Sequence, residues 1–322
     1  MTELPAGWTT RRPTLDDVPA ILEVVHASDI AAVGKPDFTS GEVREELTAP
    51  NTDLSRDSWL ALDETGRIVA WAYPYNATRG TRDMANVFFW PELGLPALRP
   101  LLKLLMARIA ERGAEFGHDV YHVRAGALPG EDELIAAMTE AGFEFLKQFA
   151  RMQMPLDGFS PVAPQPPAGV TVRPLRFDDE AEVRAFHAVI ESAFQDSDHP
   201  AMGYEGWRAQ VDGESSISAD EWLVAEVDGE IAGALQSSDG SGETDEGYVK
   251  YLAVLRPYRK RGVGEALLRR AFATYAANGR PKAGLGVDLA NPTDAASLYF
   301  KVGMTALYRG NVYQTTITTT RA

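Results

Sequence analysis

Val249-Lys250-Tyr251-Leu252-Ala253-Val254-Leu255-Arg256-Pro257-Tyr258-Arg259-Lys260-Arg261-Gly262-Val263-Gly264 is the most informative stretch of this 322-residue chain. An apolar strand ends at a proline, and a basic turn containing glycine then opens an amphipathic helix. Val263, Leu267, Ala271 and Tyr275 form one stripe of that helix. A helix start leaves several backbone N–H groups without intrahelical partners. Such groups, reinforced by the helix dipole, make an anion site. Gly262 and Gly264 let a ligand approach the backbone without a Cβ in the way. Arg259, Lys260 and Arg261 add positive charge, so the chemistry implied is pyrophosphate binding. Other phosphate motifs fail. No G-x-x-x-x-G-K-[ST] run occurs, and a dinucleotide fingerprint would need a third glycine where Leu267 stands. On charge and glycine alone, a solvated basic helix start with tightly packed glycines explains the stretch equally well.

The sequence around this segment repeats. Arg12-Pro13 is echoed by Arg173-Pro174, Trp59-Leu60-Ala61 by Trp222-Leu223-Val224, and Gly142-Phe143 by Gly303-Met304, at spacings of 161, 163 and 161 residues. Three landmarks at nearly one spacing point to duplication. The Pro- and Gly-rich residues 157–169 read as an extended linker. The expected organisation is a first domain over 1–156, a linker over 157–169 and a second domain over 170–322. In each half a strand carries the Arg-Pro landmark. A helix follows, on Val18, Ile21, Leu22 and Val25 in one half and on Val183, Phe186, Val189 and Ile190 in the other. Asp228-Gly229 predicts a tight hairpin between Trp222–Val227 and Glu230–Ser237. Strands at Tyr248–Leu255, Ala283–Leu289 and Thr305–Thr318 alternate with helices. The pattern predicts an α/β (α+β) fold, two tandem domains each built on a mixed central β-sheet flanked by helices.

Composition narrows the function. Hydrophobic residues make up 45% and charged residues 24%, as in ordinary globular chains. The formal net charge of -15 disfavours nucleic acid and anionic membranes as partners. No cysteine is present, which removes disulfides, thiolate nucleophiles and thiolate metal sites. No apolar run reaches the length of a signal peptide core or a membrane span. The expected location is cytoplasmic.

Downstream, Asn291 is a good helix N-cap, Pro292 suits the first helical position and Gly303 is a natural stop. Tyr299 therefore lies on a short helix after a sheet strand. Taken alone, a tyrosine there is more often core than catalytic. Together, Arg259-x-x-Gly262-x-Gly264 after an apolar strand and Asn291-Pro292 through Tyr299 to Gly303 resemble motifs A and B of the GNAT superfamily of N-acetyltransferases. The resemblance covers about residues 170–318. It implies that the turn Arg259, Lys260, Arg261, Gly262, Val263 and Gly264 holds the pyrophosphate of acetyl-CoA, the cosubstrate. It also implies that Leu252, Ala253 and Val254 pair with the pantetheine arm and that Asn291 contacts the same arm. A backbone N–H within Ala253–Leu255 would stabilise the thioester oxygen, and Tyr299 would protonate the departing thiolate.

The base that would deprotonate the amine is less legible. Glu246 precedes the cofactor strand and is the candidate, with Asp288 on the next strand as another; solvated or structural roles are commoner for such carboxylates. Asp239, Glu243, Asp245 and Glu246 form an acidic run that could attract a cationic substrate. His199, Tyr204 and Trp207 lie where this family builds its substrate wall. In the first half, Val87–Leu98 stands in place of the cradle, with Glu92, Leu93, Pro96 and Leu98 replacing its basic residues and glycines. A retained fold without cofactor binding is expected there, with a helix over Leu101–Ile109. His118 and His122 have no evident third ligand, so no metal is expected. The tandem plan resembles the mycothiol synthases, but those enzymes carry an acidic residue near the start of the cofactor strand, where this chain has Tyr248. The expected activity is acetyl transfer to a primary amine of a small molecule. Protein or peptide N-acetylation and non-catalytic acyl-CoA binding are the alternatives, and a homodimer is left open.

Overall fold

The computed structural model describes residues 3–36, 38–195, 201–213, 218–239, 246–289 and 295–319. The chain forms two compact units, one of residues 1–149 with 309–322 and the other of residues 150–308. Along the first half run β1 (Thr9–Arg11), α1 (Val18–Val33), α2 (Ser40–Leu47), the short α3 (Leu54–Asp57), β2 (Trp59–Leu62), β3 (Ile68–Tyr75), β4 (Arg82–Phe89), α4 (Leu95–Glu115), β5 (Val120–Ala127), α5 (Asp132–Glu140) and β6 (Glu144–Pro155). The second half follows the same order. It runs β7 (Val170–Pro174), α6 (Glu180–Phe194), α7 (Tyr204–Gly213), β8 (Leu223–Val227), β9 (Glu230–Asp239), β10 (Glu246–Val254), α8 (Val263–Ala277), β11 (Lys282–Asp288), α9 (Ala295–Lys301) and β12 (Thr305–Thr318). Residues 157–169 hold neither helix nor strand. Asp228 and Gly229 both take positive φ in the β8–β9 turn, as the Asp-Gly pair predicts.

The units do not part at the expected linker. In the first unit the strand order is β1-β2-β3-β4-β5-β12, and in the second it is β7-β8-β9-β10-β11-β6. Each half thus gives its last strand to the other unit's sheet. β12 runs antiparallel to β5, from Asn311 opposite Ala127 to Thr318 opposite Val120. The expected boundaries, 1–156 and 170–322, kept each last strand in its own half. Two copies of one fold accept each other's equivalent element at little cost, which makes the exchange physically reasonable.

Each sheet is covered on both faces. In the second unit, Leu267, Leu268, Ala271, Phe272 and Tyr275 of α8 lie fully buried against one face. Val183, Phe186 and Ile190 of α6, with Trp207 and Val211 of α7, cover the other. A large apolar side chain buried this way contributes about 1.5–3 kcal/mol. In the first unit α4 and α5 pack one face, and α1 and α2 the other. That unit also contains a buried ionic network. Arg112 donates from Nη1 to Asp57 at 2.7 Å and from Nε to Asp83 at 3.0 Å, and Arg108 Nε donates to Asp57 at 2.7 Å. Paired and hydrogen-bonded, these charges are tolerated inside; any one of them left alone is not.

Candidate active site

The site grows from the C-terminal half of β10. Its parallel ladder with β11 runs from Glu246 opposite Lys282 to Val249 opposite Leu285 and ends there. Its antiparallel ladder with β9 continues to Val254 opposite Gly233. The two strands therefore part beyond Val249, leaving one backbone edge of the strand's end without a neighbouring strand. A bulge between Val249 and Tyr251 accompanies the parting and shifts the alternation by one residue. Val249 packs on the α8 side, whereas Tyr251 and Ala253 pack on the α6 side and Leu252 and Val254 on the α8 side. Leu255 N–H donates to Ala232 O at 3.0 Å. By period-2 alternation, Ala253 also faces β9, and the N–H and C=O groups of Leu252 and Val254 point to the open edge. Among the expected oxyanion donors, this singles out Val254.

The turn after β10 is shaped by two left-handed residues. Lys260 has φ 58 and Gly262, the N-cap of α8, has φ 80. A turn containing such residues can aim backbone N–H groups into a concavity that suits anions. No side chain caps α8, and its first intrahelical bond runs from Ala266 N–H to Gly262 O. The N–H groups of Val263, Gly264 and Glu265 therefore precede the ladder. A Cβ on Gly262 would lie 2.8 Å from Cγ of Pro167, and one on Gly264 would lie 3.2 Å from Cδ2 of Leu298. Lys260 and Arg261 are exposed beside the turn. Uncapped donors, a left-handed glycine at 262 and two exposed cations, Lys260 and Arg261, fit a diphosphate.

Arg259 behaves differently from the expectation. Its Nε donates to Val254 O at 3.0 Å and its Nη2 to Ala193 O at 3.1 Å. The guanidinium is committed to the protein backbone. Glu265, on the first turn of α8, is balanced by Lys301 at 2.6 Å and Arg269 at 3.0 Å. These two cations, Lys301 first, hold its carboxyl below the usual range.

Tyr299 sits on α9, 8% exposed. Burial, then the nearby Tyr248, pushes its phenol up to about 12. It keeps its proton throughout the neutral range, so it can donate but not act as a base.

Glu246 stands at the opposite end of β10 from the turn. Its carboxylate is buried, accepting from Arg151 Nη2 at 2.5 Å and from Gln153 Nε2 at 3.0 Å. This geometry assigns it to the sheet, as the partner that β6 brings, and not to the amine. Arg151 also lies 4.7 Å over the Tyr248 ring. Trp207 is core, donating from Nε1 to Gln236 at 3.2 Å, and Tyr204 packs against it at the helix surface. Asp288 ends β11, half-buried. Asn291, His199, Glu243 and Asp245 lie outside the described residues, as does the side chain of Asp239. His118 bonds to Arg79 O and His122 to Thr316 Oγ1, and among the described residues no three His, Asp or Glu side chains converge as metal ligands. No helix among them is long and apolar enough to cross a membrane.

Three parts of the site escaped the sequence reading. Arg151 and Gln153 arrive on β6 from the other half of the chain. Pro167 of the linker lies over Gly262. The Ala193 carbonyl, at the end of α6, receives Arg259. The first had a weak signal: Arg151 and Gln153 alternate with apolar Ala150, Met152 and Met154, marking a half-buried strand.

Comparison with known proteins agrees with this geometry. Residues 183–304 match the family described as Acetyltransferase (GNAT). A mycothiol acetyltransferase of Streptomyces griseus is 33% identical over 175 residues, 54% of each chain, so the match spans about half the length of that relative. Among solved structures, a GCN5-related N-acetyltransferase from Sphaerobacter thermophilus superposes with a TM-score of 0.85 at 24% identity. That likeness covers 99% of this chain and 100% of the other. A tandem GNAT protein from the clavulanic acid biosynthesis pathway gives a TM-score of 0.66 at 15% identity, covering 96% and 98%. These structural likenesses speak for the fold. Residues 183–304 are thus similar in sequence to the GNAT acetyltransferase family, and the chain as a whole carries the GNAT fold twice.

Proposed function

We propose that the second unit transfers the acetyl group of acetyl-CoA to the primary amine of a small molecule. The observation that carries the reading is the parting of β10 from β11 beside a helix start with no cap. The open edge at Leu252 and Val254 suits an extended amide-bearing arm, which would add to the sheet as a strand does. The N–H groups of residues 263–265, with Lys260 and Arg261, would hold the diphosphate. Asn291 is proposed to touch the same arm. The likeness to a mycothiol acetyltransferase supports a small-molecule acceptor.

Bound acetyl-CoA supplies a thioester that a neutral amine can attack directly. The protein's part is placement and charge. Val254 N–H, aimed at the open edge, would donate to the thioester oxygen as negative charge develops there. Tyr299, still protonated at neutral pH, would give its proton to the departing sulfur, while the proton lost by the attacking nitrogen passes to solvent, from which the phenol is restored. Holding both partners in one cleft replaces a bimolecular encounter, so no covalent enzyme nucleophile is needed. Titration of Tyr299 lies far up the scale, so the rate is expected to rise with pH as the acceptor amine loses its proton, with no fall before about pH 10.

The test is release of free thiol from acetyl-CoA across a panel of primary amines. Thiol is expected to appear with a subset of small amines and to depend on the amine's concentration. Binding of coenzyme A with no amine-dependent release would reduce the site to a binding module. No binding at all would remove the reading.

A further inference from the structure

We infer that Arg259 is a positioning residue that ties the cofactor turn to the end of α6, and not a ligand of the diphosphate. The inference rests on the proposed function and refines it. Three elements meet at this guanidinium. Arg259 belongs to the turn before α8. Its Nε bonds to the carbonyl of Val254, the last residue of β10, and its Nη2 to the carbonyl of Ala193.

Each acceptor has a reason to need a donor. Val254 presents its N–H and C=O to the open edge, so its carbonyl has no strand to pair with. Ala193 lies in the last turn of α6, where carbonyls lack intrahelical partners and the dipole favours a cation. One planar guanidinium satisfies both from a fixed fork, which a lysine cannot do. Arg259 therefore holds the Val254–Leu255 peptide at the end of β10, the peptide next to the one that carries Val254 N–H, the donor proposed for the thioester oxygen. It also anchors α6, whose Phe186 and His187 pack against Trp207 and Tyr204 of α7. Lys260 and Arg261, both exposed, are the cations left for the diphosphate.

The experiment compares ligands with and without phosphates. Binding of coenzyme A and of phosphate-free pantetheine is measured by calorimetry for the wild type and for Arg259→Met, Arg259→Lys and Lys260→Ala. Hydrogen exchange is followed at residues 189–195 in the unliganded proteins. Arg259→Met is expected to weaken both ligands by the same factor, roughly tenfold for two charge-assisted bonds. It is also expected to leave the salt dependence of coenzyme A binding unchanged and to speed exchange at the end of α6. Arg259→Lys restores neither. Lys260→Ala is expected to weaken coenzyme A alone and to flatten its salt dependence. The inference is overturned if Arg259→Met weakens coenzyme A alone, if Arg259→Lys behaves as wild type, or if exchange in α6 is unaffected. A wild type that binds neither ligand sinks the proposed function. The exchange measurement still decides the tie.

Discussion

The two halves end their fourth-strand ladders in the same way and differ in what comes next. In the first, β4 pairs with β5 only from Arg82 opposite His122 to Met84 opposite Arg124, while its ladder with β3 continues to Phe89 opposite Ala70. This is the same parting that opens β10. The connection to the following helix then diverges. Five residues join β4 to α4 and eight join β10 to α8. In the shorter turn Trp90 N–H donates to Val69 O at 2.9 Å and Gly94 N–H to Trp90 O at 2.6 Å. A Cβ on Gly94 would overlap the Val69 carbonyl. The turn is folded down onto the sheet, its donors are used, and Pro96 removes another from the first turn of α4. In the longer turn Lys260 and Gly262 take left-handed conformations and leave the donors forward. A parted strand pair belongs to the fold; the proposed anion binding rests on a few residues of turn.

The comparison can be broken first through what stabilises each half. Arg112→Met leaves Asp57 and Asp83 buried without their shared cation. Stability is expected to fall by about 3–5 kcal/mol in urea unfolding, with coenzyme A affinity of the folded protein within about twofold of wild type. An equal loss of affinity would mean that the first unit takes part in the cofactor site. Next, Tyr299→Phe is expected to lower turnover by about 100-fold or more while leaving coenzyme A affinity in place. An unchanged rate would take the phenol out of the mechanism. Gly262→Ala forces a Cβ into a left-handed residue and against Pro167. An expected loss of about 1–2 kcal/mol is to be read as weaker coenzyme A binding. Gly94→Ala is expected to lower stability instead and leave that binding alone.

The smallest effect concerns Glu46 of α2. Burial first raises its carboxyl to about 7, although a hydrogen bond from Tyr73 opposes the shift. Its folded pKa thus lies above its unfolded value near 4.5, so the fold favours the protonated form. Its contribution is full below that value and is lost as pH rises toward 7. Glu46→Gln is expected to flatten this slope. A pH–stability curve identical to wild type between pH 4.5 and 7 would show that the carboxyl is solvated.

Much of the fold was legible because its signals are local. Asp228-Gly229 fixes a hairpin by its φ requirements, and the stripe Val263, Leu267, Ala271 and Tyr275 is the buried face of α8. The spacing of Arg-Pro and Trp landmarks announced two copies. The exchange of β6 and β12 was not legible. Two equivalent last strands have the same alternation and satisfy either sheet, so no local pattern chooses between them. The uncapped helix start is visible in the sequence, but the contacts of its basic side chains are not. A basic run does not reveal which cation turns inward, and only the fold shows that Arg259 reaches Val254 and Ala193. Glu246 looked available because its partners, Arg151 and Gln153, lie 95 and 93 residues away in sequence.

The central claim is that one turn of the two accepts a diphosphate. Calorimetric titration of the whole chain with coenzyme A tests it most directly. One binding event per chain is expected, with affinity that falls as salt rises and that is strongly reduced by Gly262→Ala. Two equivalent events per chain, or a single event indifferent to Gly262→Ala, would contradict the account.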